Sequence, residues 1–504
     1  MAENKPQAPL YDALVHYREQ KDASFHVPGH KDGQAYQDIN AQIALIKAME
    51  IDATEITGTD DLHHPEGVIL EAQQLAAKYF GAAETFFLVG GSTVGNLALI
   101  LSVCTAPGDV LLVQRNIHKS VIHGLMLAGA NAVFLSPQID AASGLATIPS
   151  VETLREALSR YPGAKGLLVT HPNYYGMGTA LQPLAQLCHD SSVPLLVDEA
   201  HGAHFGLHQQ LPPSALAQGA DGVVQSTHKM LTAMTMGAML HVQGGLLDRS
   251  LIRQRLAMVQ SSSPSYPIMA SLDLSRWLLQ ASGEKRFAQA LELASRLRRD
   301  IAAMERFGLV EIGASGGSAA YSIQDPFKLV LYDAAGVLSG YALQEALEAL
   351  GCVPEMSDER YVVLALGLGT SQQDADRLLA ALRQLNTQLN TNISTWNITD
   401  EPDTTSMLEA DRGQMAASVS APTLFSLRPV AASEVEKIPV EESAGRRAAE
   451  MVIPYPPGIP LLYPGERITE EVTAGLILLK RSKAKCQGVE DPSLHTIRVY
   501  LSKE

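Results

Sequence analysis

Between Thr85 and Val242 the chain repeats one pattern: a short apolar run that ends in polar residues, then a stretch with helical spacing. The runs are FFLVG, DVLLVQ from Asp109, KGLLVTH from Lys165, VPLLVDEAHG from Val193 and GVVQSTHK from Gly222. Continuous Val/Leu runs are what strands buried on both faces require. Alternation with helices predicts an α/β domain with a mostly parallel sheet. In such open sheets ligands bind outside the carboxyl ends of the strands. Thr170, Asp198, Glu199, Ser226 and His228 all stand where a run gives out, which places the candidate site along that edge. Gly90, Gly91 and Ser92 lie between FFLVG and a helical stretch from Thr93 to Val103, a strand–glycine–helix junction suited to an anion.

A chain of 504 residues has room for roughly three folding units at about 150 residues each. We expect an N-terminal segment over 1–60, a large domain over 61–308, a small α+β domain over 309–385, a linker over 386–418 and a C-terminal domain over 419–504. Phe287, Leu291, Ala294, Leu297, Ile301 and Met304 recur at three and four, predicting a helix from Glu284 to Phe307 stopped by Gly308. In the small domain, PFKLVLYD and YVVLALGLG read as strands, and Tyr341–Leu350 and Asp374–Leu385 as helices. The linker is rich in Asn, Thr, Asp and Ser without periodicity. Prolines in GRRAAEMVIPYPPGIPLLYPGE forbid a continuous helix.

Asp plus Glu total 54 against 38 for Lys plus Arg, a formal net charge of -16, which argues against nucleic acid or an anionic membrane as partner. Cys104, Cys188, Cys352 and Cys486 are far apart, so neither a disulfide framework nor a thiolate metal site is indicated, and a reducing cytoplasm fits. The N-terminus, MAENKPQAPL, lacks an apolar signal core, and the best apolar run, Leu97 to Val103, is far below the roughly 20 residues of a membrane span.

The sharpest chemical feature is Ser226-Thr227-His228-Lys229 after one strand, with Asp198 in DEAHGAH after another. A lysine beside hydroxyl and imidazole groups suits a Schiff-base cofactor, and an acid on a separate strand can keep a pyridine nitrogen protonated. Taken singly, Lys229 reads as a surface amine and Asp198 as a loop acid.

Together the motifs resemble the pyridoxal-phosphate-dependent ornithine/lysine/arginine decarboxylase family. The resemblance runs from FHVPGHKDG at Phe25 through GTDDLHHPEG at Gly58, GGSTVGN at Gly90, RNIHKS at Arg115 and HPNYYG at His171 to DEAHGAHFG and QSTHK. It continues in SSPSYPIMASLD from Ser262, DPFKL from Asp325 and YPPGIPLLYPGE. The length is similar to the short biosynthetic branch, most like arginine decarboxylase, which lacks an N-terminal wing domain. The resemblance implies an aspartate-aminotransferase-like large domain (fold type I), a homodimer or larger assembly, and decarboxylation of a basic amino acid, arginine before lysine and ornithine. Arginine would yield agmatine, a polyamine precursor. Another reaction on the same cofactor, such as transamination, and a non-catalytic binding or regulatory protein are the alternatives; intact Asp198 and Lys229 argue against the last.

By the same resemblance, Lys229 forms the Schiff base, Asp198 holds the pyridine nitrogen, His201 sits near the cofactor and His118 stacks on its ring. Gly91, Ser92, Thr93, Ser226 and His228 hold the phosphate. Lys229 and His201 are candidate proton donors to Cα. Ser92 and Thr93 could instead cap the next helix, and His118, like His123, could be a core histidine. Two positions depart from the family pattern: Met236 and Gly237 stand where a glutamine-containing motif is common, and Asn173 where threonine is. A basic substrate needs a distant acid; Asp60, Asp61, Glu66, Glu355 and Glu466 are candidates, each with a bland role as a surface or capping acid. SSSPSYP at Ser261 is the stretch expected to reach a partner's cofactor. His63 with His64, and His201 with His204, lack a third ligand, so no metal is expected. GASGGS at Gly313 reads as a loop and RLRRD at Arg296 as a solvated helix face.

Overall fold

A computed structural model describes residues 6–36, 44–312, 320–391, 418–455, 458–482 and 484–501. Its centre is an eight-stranded sheet ordered Glu84–Leu88, Ala238–Val242, Gly222–Gln225, Leu195–Asp198, Leu167–Thr170, Val110–Gln114, Asn131–Leu135 and Thr423–Leu424. The five strands from Gly222–Gln225 to Asn131–Leu135 are mutually parallel, and Glu84–Leu88 and Thr423–Leu424 pair antiparallel at the two edges. In register, Thr170 faces Asp198 and Asp198 faces Val224, so three neighbouring strands give out at one level.

Both faces are covered, which is why the central strands are apolar throughout. On one face Val94, Ala98, Leu99, Ile122, Ile252 and Leu256 bring helices Gly91–Val103, Lys119–Ala128 and Arg249–Val259 against the sheet. Leu154, Ala157, Leu184 and Ala185 bring Val151–Arg160 and Gln182–Asp190 against the other. Gly95 lies where a Cβ would meet Leu88 and Val224 at 2.8 Å, so glycine lets that helix lie close to the strands.

The long helix is one element, Tyr266–Ala302, beginning well before the expected Glu284; Pro267 in its first turn costs no intrahelical bond. It stops short of Phe307, because Glu305 turns to φ 58° and Phe307–Leu309 joins a sheet. That sheet, Met356–Ser357, Val362–Ala365, Lys328–Asp333 and Phe307–Leu309, is wholly antiparallel. Its helices are Gly340–Ala349 and Gln372–Thr391. The second of these takes up the first residues of the expected linker, because Leu378, Leu382, Leu385 and Leu389 keep an apolar stripe running to its end. The rest of that linker as far as residue 417, and the GASGGS stretch, lie outside the described residues. RLRRD is not simply solvated: Arg296 pairs with Asp376 at 2.7 Å, and Arg298 donates to the Lys328 carbonyl at 2.7 Å.

The C-terminal part pairs Val435–Pro439 with Thr496–Tyr500 beside helix Glu470–Arg481. Its first residues go elsewhere: Thr423 and Leu424 pair with Ala132 and Asn131, covering an edge of the large sheet that would otherwise template association. Among the described residues no helix is long and apolar enough to cross a membrane.

Asp60 is occupied by local structure. Its Oδ1 accepts the N–H groups of Asp61 and Glu66 at 2.9 and 3.0 Å, and its Oδ2 those of Gly67 and Ile69 at 2.8 and 3.0 Å. It satisfies free donors at the start of helix Val68–Phe80. Asp60→Ala is expected to cost about 1–2 kcal/mol, as loss of a helix cap does, seen as a lower urea midpoint with unchanged affinity for substrate.

Candidate active site

Lys229 lies in the short helix Thr227–Met230 directly after strand Gly222–Gln225. Its Nζ is 3.0 Å from His201 Nε2 and 5.4 Å from the centre of the Tyr174 ring, which packs on His201 with centroids 4.3 Å apart. Burial pushes the Lys229 amine below the usual lysine range, against the pull of Asp198. Asp198, 3% exposed, ends the adjacent strand. Its Oδ2 accepts from Asn96 Nδ2 at 2.8 Å and its Oδ1 from the Ala200 N–H at 3.1 Å. Burial raises this carboxyl, while Asn96 and Lys229 act to lower it.

Asn96 extends the network. Its Nδ2 also donates to Ser120 Oγ at 3.0 Å, and Ser120 Oγ is 2.9 Å from His118 Nδ1. The Ser120 N–H donates to the same Nδ1, so a neutral His118 carries its proton on Nε2. Burial, then the Lys229 charge, pushes His118 down to about 4, which keeps its ring neutral near pH 7.

At the glycine junction, Ser92 Oγ and Ser226 Oγ are 2.5 Å apart, and helix Gly91–Val103 begins there with Gly91 at φ 74°. Thr93 is exposed in its first turn. The Met236 and Gly237 departure acts through backbone: the Met236 carbonyl accepts the Gly91 N–H at 2.9 Å, and the Gly237 carbonyl accepts the His228 N–H at 3.1 Å. Asn173 holds the HPNYYG turn, its Oδ1 accepting the N–H groups of Tyr175 and Met177 at 3.0 and 2.9 Å.

These residues fit pyridoxal phosphate. The strand ends offer an accessible amine, a buried acid on the next strand, a neutral imidazole, and a hydroxyl pair at a helix start. Two buried polar atoms beside the acid, Asn96 Oδ1 and Thr170 Oγ1, have no hydrogen-bond partner among the described residues.

Comparison with known proteins gives the family. The family model "Orn/Lys/Arg decarboxylase, major domain" matches residues 8–374, and the C-terminal domain model of the same family matches 414–492. The chain belongs to the Orn/Lys/Arg decarboxylase family. It is 42% identical over 498 residues to Uncharacterized protein YaaO of Bacillus subtilis, covering 98% of this chain and 99% of that one. It is 36% identical over 503 residues to the Arginine decarboxylase of Bacillus subtilis, with 99% of each covered. The constitutive lysine decarboxylase of E. coli superposes with a TM-score of 0.79 at 22% identity, over 98% of this chain and 82% of that one, and so shares the fold.

The five acids singled out as substrate candidates separate in space. Asp60 and Asp61 cap local turns, and Glu66 is exposed beside His64. Glu355 alone among them acts electrostatically on Lys229, His228 and Tyr174. Glu466 is drawn into an ion pair: Arg115, 2% exposed, meets its carboxylate at 2.9 Å, donates to the Leu461 carbonyl at 3.0 Å and lies 4.1 Å over the Tyr463 ring. This clamp holds the C-terminal loop against the helix that His118 caps. There the Gly458 carbonyl accepts the Lys119 N–H at 3.1 Å, and a Cβ at Gly458 would stand 3.3 Å from the His118 ring.

Four residues escaped the sequence reading: Asn96, Ser120, Tyr174 and Lys328. Each lies inside a quoted motif, GGSTVGN, RNIHKS, HPNYYG or DPFKL. The usable signal was a charge at the head of an apolar strand, KLVLYD. His201 and His204 face different partners, the two lysines and Asp325 respectively. Glu466→Ala would strand the Arg115 guanidinium in a buried setting; a loss of about 3 kcal/mol is expected, measured as a lowered denaturation midpoint.

Proposed function

We propose that this protein is a pyridoxal-phosphate-dependent decarboxylase that converts L-arginine to agmatine and CO2. The observation that carries the reading is the Lys229 amine 3.0 Å from His201 Nε2, just beyond the end of the strand that pairs with the one Asp198 ends. The arginine assignment is supported by 36% identity over full length to a protein named arginine decarboxylase.

When bound, pyridoxal phosphate supplies an electron sink for the pair left on Cα as CO2 departs. The chain's own residues have separable tasks. Asp198, oriented by Asn96, would accept a proton-bearing pyridine nitrogen. His118, kept neutral, would lie against the ring without adding charge. Ser92, Ser226, His228, Gly91 and the start of the helix at Thr93 would bind the phosphate. Burial leaves Lys229 with a larger neutral fraction, the form that attacks a carbonyl. His201 Nε2, 3.0 Å from Lys229 Nζ, is placed to hold and return the proton that Cα gains. Glu355 would meet the distal guanidinium. A homodimer or larger assembly in the cytoplasm completes the reading; four free cysteines suit a reducing compartment.

The test is mass spectrometry of products from the cofactor-loaded chain given arginine, lysine and ornithine in equal amounts. Agmatine is expected; cadaverine or putrescine would reassign the substrate, and a keto acid the reaction. Glu355→Gln is expected to raise KM for arginine about tenfold with a smaller change in kcat, the sign of lost ground-state binding; steady-state kinetics checks it.

A further inference from the structure

We propose that Lys328 is a positioning cation that, acting through His201, holds Lys229 as a neutral amine. The proposal rests on the reading of Lys229 as the imine-forming amine, and assigns a task to a buried charge that this reading leaves unused.

Lys328 opens strand Lys328–Asp333 of the small sheet and is 1% exposed. Its stem is shut in by the HPNYYG turn: a Cβ on Gly176, at φ 80°, would come within 2.9 Å of Lys328 Cβ and Cγ. A buried lysine ordinarily needs a carboxylate, and Asp325 is three residues away. Asp325 gives its Oδ1 to His204 Nε2 at 2.9 Å and the Phe327 N–H at 2.9 Å, while its Oδ2, without a hydrogen-bond partner among the described residues, acts on Lys328 through charge alone. Lys328 Nζ instead points to His201 Nδ1, at 3.4 Å. His201 therefore stands between two lysines, with Lys229 on Nε2 at 3.0 Å and Lys328 on Nδ1.

Hydrogen-bond chemistry limits what this triad can be. An ammonium donates and has no lone pair, whereas a neutral imidazole has one donor and one acceptor nitrogen. Two ammonium groups facing one neutral imidazole leave a donor against a donor. A protonated imidazole would put a second positive charge beside the buried Lys328 and face a third on Lys229, and burial with both lysine charges holds His201 well below the usual histidine range. The arrangement in which both imidazole nitrogens are matched has one lysine neutral. If Lys328 keeps its proton, Nδ1 accepts, the imidazole proton sits on Nε2, and Nε2–H donates to the lone pair of Lys229. If Lys229 keeps its proton, the pattern reverses.

The surrounding charges choose between these. Lys328 faces Asp325 and Glu355, both of which favour its charged form against burial. Lys229 faces Asp198 and Glu355, which favour its charge, and Lys328, which opposes it; burial is the largest influence on both. His118 and His228 also face His201 and oppose its protonation. Asp198 already spends both carboxylate oxygens on Asn96 Nδ2 and the Ala200 N–H. Asp325 stays with Lys328. The proton therefore belongs on Lys328 and the lone pair on Lys229.

The experiment measures lysine titration in the full-length chain without cofactor, by NMR of selectively 13Cε-labelled lysine, with Lys229→Ala and Lys328→Met assigning the two signals. In the wild type Lys229 is expected to lose its proton at lower pH than Lys328; the reverse order overturns the proposal. Lys328→Met is expected to raise the Lys229 midpoint by about one pH unit, a tenfold loss of neutral amine, and Lys328→Arg to keep it near the wild-type value. A Lys229 midpoint unmoved in a folded Lys328→Met chain also overturns it. If Lys328→Met does not fold, comparing signals in wild type and Lys229→Ala still gives the order, Lys328 being the remaining shifted lysine. Borohydride trapping of pyridoxal phosphate on Lys229 of the wild type is the separate control. Its failure would sink the decarboxylase reading and leave the proton order as measured.

Discussion

A lysine amine and a buried aspartate carboxylate stand at the ends of two neighbouring parallel strands, and the rest of the site is arranged around them. A carboxylate is not cheap to bury. Asp198 is held by two donors, Asn96 and the Ala200 N–H. Lys229 is held by an imidazole, an arrangement that does not require it to be charged. Parallel pairing sets their separation, because the register that aligns Asp198 with Val224 brings Lys229 in just beyond the next strand end. A sheet buried on both faces supplies the rigidity, since its strands shift only if two layers of helices shift with them.

The three parts of the chain meet at that point in different ways. The eight-stranded sheet and the segments that follow its strands contribute the amine, the acid and the hydroxyl pair. Lys328, from the small antiparallel sheet, reaches the far side of His201. The C-terminal loop reaches the His118 side, clamped by Arg115 and Glu466. Each insertion is enforced by a glycine with positive φ, Gly176 behind Lys328 and Gly458 against His118, where a side chain would meet its neighbour. Displacing either outer part would thus change the electrostatics at Lys229 before it changed the sheet.

The sheet was legible because strands buried on both faces leave one kind of residue to choose from, and the runs ending at Thr170, Asp198 and Gln225 are strands whose ends lie at the site. Lys229 and Asp198 stood out because a polar residue at such an end needs a reason. What was illegible depends on distance along the chain. Nothing local to Lys328 shows that it meets His201, 127 positions away, and nothing local to Glu466 shows that Arg115 claims it. Asp60 looked chemically available for a similar reason: an acid before a helix reads alike whether it caps or binds, and only the five N–H groups converging on it decide. The long helix was read short because Pro267, Ser271 and Ser275 weaken the pattern at its start, while buried Tyr266, Met269, Leu272 and Leu279 supply the packing that overrides it.

Placing the second cation behind His201, and not beside Lys229, has a consequence for selectivity among bonds. A cation next to the reacting carbon would hold the substrate carboxylate in the ground state and oppose its loss, since only interactions that strengthen toward the transition state accelerate the reaction. Behind the imidazole, the Lys328 charge acts on the proton at Nε2 and on the basicity of Lys229, with its stem packed against the Gly176 turn. The geometry separates control of protonation from recognition of the carboxylate. That separation is what a decarboxylase needs: a proton donor ready at Cα, and no cation that steadies the group about to leave.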